Sequence, residues 1–351
     1  ECDSALAGTD DDGFTFFDLT QNELILLGGE SPLEFNIHYF INDSYSDQII
    51  DPTNFINTTQ NQQTIYVKAE NVLDTSCFTT TSFTIQVNAL PTLIDQIVFK
   101  NCDEDGMPDG YTDFNLEEIN EIITDEDLND LNITYHIDLN DATSGINEVM
   151  TSPFNNLTSN TVYARVANEF GCFRIATINL EVSTTSFVEG YLQELEQCDD
   201  DNSIDGIVEF DLTQASAEFI SQFPTGQNLS VHYYLNLVDA QLEQNEIIDQ
   251  TSFVNTIPFS QIVYVRVESE DNGECFGIGP HLLLTVHPRP EFEVDNASIY
   301  CLNGEPVELE VFNSNGNYSY IWTNELDEVI SDQTSALITS GGVYTVIATS
   351  I

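Results

Sequence analysis

The sequence predicts an all-β chain of tandem immunoglobulin-like β-sandwich repeats, the first three of which each carry one short helix. Three observations lead to this fold class. A pattern of Cys-Asp, Asp-Gly and Phe-Asp/Asn-Leu recurs three times at matched spacing. The segments between these motifs are short and rich in Val, Ile, Thr, Tyr and Phe, as strands are. Asn, Asp, Gly and Pro separate them, and these residues form turns through their own side chains or their special backbone angles.

The repetition sets the register. The copies open with Cys2, Asp12-Gly13 and Phe17-Asp18-Leu19, with Cys102, Asp109-Gly110 and Phe114-Asn115-Leu116, and with Cys198, Asp205-Gly206 and Phe210-Asp211-Leu212. Two strand-like runs follow in each copy, at 37–41 and 65–67, 133–137 and 162–166, and 231–235 and 263–267. Each copy closes on Cys-Phe, at Cys77-Phe78, Cys172-Phe173 and Cys275-Phe276. The chain divides accordingly into repeats at 1–90, 91–186 and 187–288, followed by a shorter unit at 289–351. That fourth unit lacks the acidic loop and holds the single tryptophan, Trp322. It reads as a truncated immunoglobulin-like module with a buried Trp on a central strand.

A short helix is expected after each acidic loop. Leu116, Ile119, Ile122 and Ile123, and likewise Leu212, Ala215 and Phe219, recur at helical spacing. Asp18, Asn115 and Asp211 precede Gln21, Glu118 and Gln214 by three positions, a capping-box arrangement that would satisfy the first free amides.

The cysteines sit one near the start and one near the end of each full copy, so the spacing suggests pairing within a copy: Cys2 with Cys77, Cys102 with Cys172, Cys198 with Cys275. Each bridge would then be worth about 4 kcal/mol on the chain-entropy account. Matched positions in three copies speak against six free thiols, and bridges imply an oxidising compartment. Cys301 has no counterpart before residue 351 and is expected to be a free thiol whose partner lies beyond the end.

The acidic loop is the one recurring constellation suited to chemistry. Asp103, Asp105 and Asp109, and Asp199, Asp201 and Asp205, alternate in a Gly-containing loop, a pattern that turns several oxygens toward one centre and suits calcium. The first copy offers Asp3, Asp10 and Asp12 with a longer spacing. The match to a helix-loop-helix calcium loop fails, because the twelfth position is Phe114 or Phe210 and not Glu. The alternative is that these Asp side chains make turns by accepting from nearby amides.

Charge removes whole classes of partner. With 60 acidic and 6 basic side chains the formal charge is −54, which repels nucleic acid and anionic lipid alike. No apolar run approaches the length that crosses a bilayer, so membrane insertion is not expected. The five histidines form no zinc-type cluster and do not recur in all three copies: His38 and His232 occupy equivalent positions, but the second copy has Thr134 there. No catalytic motif stands out, and the chain is not expected to be an enzyme.

The Cys-Asp, Asp-Gly and Phe-Asp-Leu-Thr elements, with the Gly-Val-Tyr-Thr-Val strand of the last unit, resemble repeat regions of very large surface proteins of Bacteroidota, especially flavobacteria. These are exported by type IX secretion and include gliding-motility adhesins of the SprB-like kind. The resemblance implies a secreted, cell-surface stalk or spacer rigidified by calcium, with neighbouring repeats of the same chain as its main partners. Surface glycans or other cell-surface proteins are further partners to consider. The alternatives are an array of carbohydrate-binding modules and the non-catalytic stalk of a secreted hydrolase.

Overall fold

The computed structural model describes residues 1–351 apart from 104–108, 200–202, 295–298 and 302–303. The described chain forms two compact units, residues 1–184 with 272–274, and residues 185–271 with 275–351.

The first unit holds the first two copies. The sheet of the first copy is antiparallel, with strands Phe35–Phe40, Gln62–Asn71 and Phe78–Gln86 in that order. Cys2 adds a single parallel bridge to Asn88, just past the closing strand. In the second copy that bridge grows into a full strand. Gln96–Asn101 pairs parallel with the closing strand Phe173–Val182, which continues antiparallel to Thr161–Asn168 and then Leu131–His136. Alternate residues of these strands point inward, so Ile65 and Val67, or Val162, Ala164 and Val166, are fully buried. The other wall of each core is a two-stranded ribbon, Phe16–Phe17 with Phe55–Ile56 or Asp113–Phe114 with Phe154–Asn155, followed by a short helix.

The third copy, in the second unit, repeats the plan. Gln193–Asp199 runs parallel to the long closing strand Cys275–Pro288, which is followed by Ser260–Ser269 and Leu229–Tyr234. Its core joins Val263, Val265 and Val267 to Phe210, Leu212 and Phe219. The described residues of the fourth segment form two three-stranded sheets. Trp322 is 2% exposed in its core beside Ala336 and Ile338, and its indole N–H donates to the Gln333 carbonyl at 3.0 Å. All-β immunoglobulin-like repeats are therefore what the sequence folds into.

The expected helices are present as a 3-10 turn running into one α-turn, at 19–26, 116–123 and 212–220. Asp18, Asn115 and Asp211 cap them, but by accepting from the amide two positions on, at Thr20, Glu117 and Thr213. In the first and third copies the threonine hydroxyl also donates to the cap, at 2.5 Å. That hydrogen bond holds the Asp18 and Asp211 carboxyls below the usual carboxylate range.

Copies two and three contain a second helix that the sequence reading did not anticipate, Leu139–Ser144 capped by Asp138 and Leu237–Gln241 capped by Asn236. Each is five or six residues long, too short for apolar periodicity to register.

Candidate functional site: the cysteine junction and the acidic loops

Strand direction decides the cysteine chemistry. Because the opening strand lies parallel to the closing strand, Asn101 stands opposite Val182 and Cys198 opposite His287. The first cysteine of a copy thus sits at the far end of the closing strand, whereas the last cysteine sits at its start. Ten to twelve strand residues separate the two, roughly 30–40 Å at about 3.3 Å per residue. A disulfide needs Cα atoms within about 7 Å. Pairing within a copy, as spacing alone suggested, is excluded on these grounds.

The same geometry brings cysteines of successive copies together. Cys2 stands at the exit of the first copy beside Asn88, and Cys172 stands at the end of the second copy that faces the incoming linker. They form a disulfide with a Cα–Cα distance of 5.5 Å and a sequence separation of 170. Cys102 and Cys275 are disulfide-bonded as well. Cys77 and Cys198, both expected to be bridged, are exposed free thiols, as is Cys301. Around the bridge, Arg174 pairs with Asp10 at 2.7 Å and the Asn168 amide donates to the Ala89 carbonyl at 2.9 Å. Both contacts cross from the second copy to the first. A further pair, Lys100 with Glu274 at 2.9 Å, raises the Lys100 pKa through its hydrogen bond.

The acidic loops share one hydrogen-bond plan. Oδ2 of Asp3, Asp103 and Asp199 accepts from the amides of Gly13, Gly110 and Gly206 at 2.7, 2.8 and 2.8 Å. Oδ1 of Asp12, Asp109 and Asp205 accepts from Phe14, Tyr111 and Ile207, each at 3.0 Å. The three glycines have φ of +76°, +82° and +75°, a region that side-chain-bearing residues avoid. Turn formation is therefore a role these aspartates demonstrably have.

A residue missed by sequence reasoning completes the plan. Asn57, Asn156 and Asn255 each donate to the carbonyl of the loop glycine, at 2.8, 3.2 and 2.8 Å. Their Oδ1 atoms accept from Thr15, Thr112 and Val208 at 2.8, 2.9 and 2.7 Å. Each is nearly buried and fastens the loop to the two-stranded ribbon. The available signal was a Phe-x-Asn recurrence at 55–57, 154–156 and 253–255.

The fit to a cation differs among the copies. Both Asp3 oxygens are served, by Gly13 and Ser4, and Asp10 is taken up by Arg174. Asp103 Oδ1 and Asp199 Oδ1 are buried with no hydrogen-bond partner, and Asp199 is 0% exposed. Those two oxygens have the chemistry to ligate calcium. Asp105 and Asp201 lie outside the described residues. Among the described residues, no group of three or more His, Cys, Asp or Glu side chains is placed to hold a metal ion.

The histidines serve local structure. His281 is packed against Phe187 at 4.1 Å between centroids and bonds the Tyr191 carbonyl at 2.8 Å, and burial lowers its pKa. His232 lies between Ser230 Oγ at 3.0 Å and Glu246 at 2.8 Å, an arrangement that invites comparison with a hydrolase triad. However, Glu268 approaches the same Nε2 at 3.2 Å. Nε2 is thus shared between Ser230 and Glu268, and through Glu268 the ring joins the ion pairs around Arg266.

Solved structures similar to this chain include the N-terminal four Ig domains of Dscam1 isoform 8.4, at 8% identity and TM-score 0.23 over 92% of this chain and 90% of that one. Immunoglobulin domains 1–4 of Sidekick-1 match at 10% identity and TM-score 0.21, over 91% and 87%. The I67–I69 fragment of the titin I-band matches at 9% and 0.18, over 74% and 89%. No curated protein matches this chain. Residues 1–91, 98–186 and 194–290 each match the family described as the Flavobacterium inter-domain disulphide bond domain; the chain belongs to that family.

Proposed function

We propose that the chain is a load-bearing stalk segment of a large secreted surface adhesin, non-catalytic, with successive repeats stapled to one another. The observation that carries this reading is the Cys2–Cys172 disulfide, which joins copy to copy and spans 170 residues. A bridge of that span constrains the unfolded chain by about 5 kcal/mol on the entropy account. Repeated domains joined in this way fit a structural, multidomain extracellular protein, since disulfides persist in oxidising surroundings. A type IX-secreted, gliding-associated adhesin is the setting this reading favours.

Calcium belongs to the proposal as a stiffening ion for the second and third loops, where Asp103 and Asp199 each keep an unpartnered buried oxygen. Stretching single molecules tests the load-bearing role. Without reductant, the length released on unfolding should fall short of the full contour by the residues enclosed between Cys2 and Cys172, and reductant should restore it. Release of the full contour without reductant would overturn the proposal.

A further inference from the structure

The three copies differ on the outer face of the sheet, the side away from the core. From Tyr135 to Val149, whose amide bonds the Tyr135 carbonyl, the chain takes 14 steps, and from Tyr233 to Ile247 it again takes 14. The equivalent passage from Tyr39 to Ile49 takes 10. Four residues amount to about one helical turn, and the first copy lacks the second helix that lies on the sheet in the other two.

Equivalent side chains report what that helix does. Lys68, Arg165 and Arg266 stand opposite His38, Thr134 and His232 in the same register. In the third copy the helix seals this position. Arg266 is 1% exposed, donates to the Ala240 carbonyl at 3.3 Å and pairs with Glu243 and Glu268. In the second copy the Arg165 guanidinium lies 3.9 Å from the centre of the Phe173 ring, and Ala142 of the helix is fully buried.

In the first copy the position is open. A cleft of about 560 Å³ is lined by His38, Tyr45, Gln48, Lys68, Glu70 and Phe78, among others. This volume lies within the range of small-molecule sites, roughly 300–1,000 Å³. Lys68 pairs with Glu70 and sits 4.2 Å from the centre of the Phe78 ring, while Phe78 itself remains 54% exposed. Gln48 reaches His38 at 3.2 Å, and the Tyr45 ring stands edge-on to Phe40 at 5.5 Å.

We propose that this cleft binds one or two sugar residues of a neutral glycan. The lining supplies what vicinal hydroxyls need, a carboxylate acceptor, an ammonium donor and an amide that does both, beside an aromatic surface for the apolar face of a ring. The charge of −54 disfavours acidic polysaccharides at this surface. Lys68 is already neutralised by Glu70, which disfavours an isolated anion. The inference goes beyond the stalk reading and does not depend on it.

The test titrates the intact chain with a panel of neutral hexasaccharides of glucose, mannose and xylose, with polygalacturonate as the acidic comparison. Saturable binding to at least one neutral glycan is expected, weakened at least tenfold by Phe78→Ala and by Lys68→Met. Phe173→Ala, at the equivalent position of the second copy, should leave it unchanged. Thr80→Trp, which fills the cleft from an exposed strand position, should abolish binding while the melting curve stays in place. No saturable binding to any neutral glycan, binding to polygalacturonate alone, or binding that survives both Phe78→Ala and Thr80→Trp would each overturn the assignment.

Discussion

The Cα atoms of Cys2 and Cys172 lie 5.5 Å apart although 170 residues separate them, because each cysteine stands at the end of its own copy that faces the other. Parallel pairing of opening and closing strands produces this arrangement. It makes every full copy a piece with one cysteine at its exit and one at its entrance.

Alkylation of the unreduced protein should label Cys77, Cys198 and Cys301. Peptide mapping without reductant should then recover Cys2 linked to Cys172. Recovery of a Cys2–Cys77 peptide would mean that the strand order is wrong.

Asn255→Ala should destabilise the third copy by about 3 kcal/mol, since it leaves the part-buried Val208 amide and the Gly206 and Ile257 carbonyls without their partner. Denaturant unfolding measures this. A loss under about 1 kcal/mol would show that water replaces the side chain at no cost.

Calcium should raise the melting temperature through the second and third copies and not through the first. Asp199→Asn separates the contributions. In chelator it replaces a buried carboxylate, whose Oδ1 has no hydrogen-bond partner, by a neutral amide, and should be neutral or stabilising. With calcium it should remove part of the gain. Asp3→Asn should leave the calcium increment intact, because both Asp3 oxygens are already engaged. An unchanged melting temperature on calcium addition would refute the ion's role.

Acidification should weaken the third copy through His281. Burial lowers its pKa from the ordinary 6.5, so as pH falls through 6.5 the unfolded chain takes up a proton that the folded chain refuses. Stability present above that pH is then lost progressively below it. The slope of stability between pH 7 and 5.5 should be shallower in His281→Gln than in the parent, and identical slopes would assign the pH response elsewhere.

Much of the fold was legible in the sequence because it repeats. Matched Cys, Asp-Gly and Phe-Asp/Asn-Leu positions gave the register, and strand composition gave the class. The cysteine partners were not legible, since spacing carries no information on whether the strand ending at Asn101 runs with or against Phe173–Val182. The Asp-Gly loops were recognised, but their fastening by Asn57, Asn156 and Asn255 required a contact more than 40 residues away. The missing turn between Tyr39 and Ile49 was countable from the repeats. Its meaning appeared only when Arg266 was seen sealed under the helix that the first copy lacks.

The staggered bridge also changes what a single backbone cut can do. A protease that nicks the chain anywhere between Cys2 and Cys172 leaves two fragments still held by a covalent bond. Across that span, loss of one peptide bond does not sever the molecule. Damage there would be tolerated until a second event, a reduction or another cut, reached the same junction.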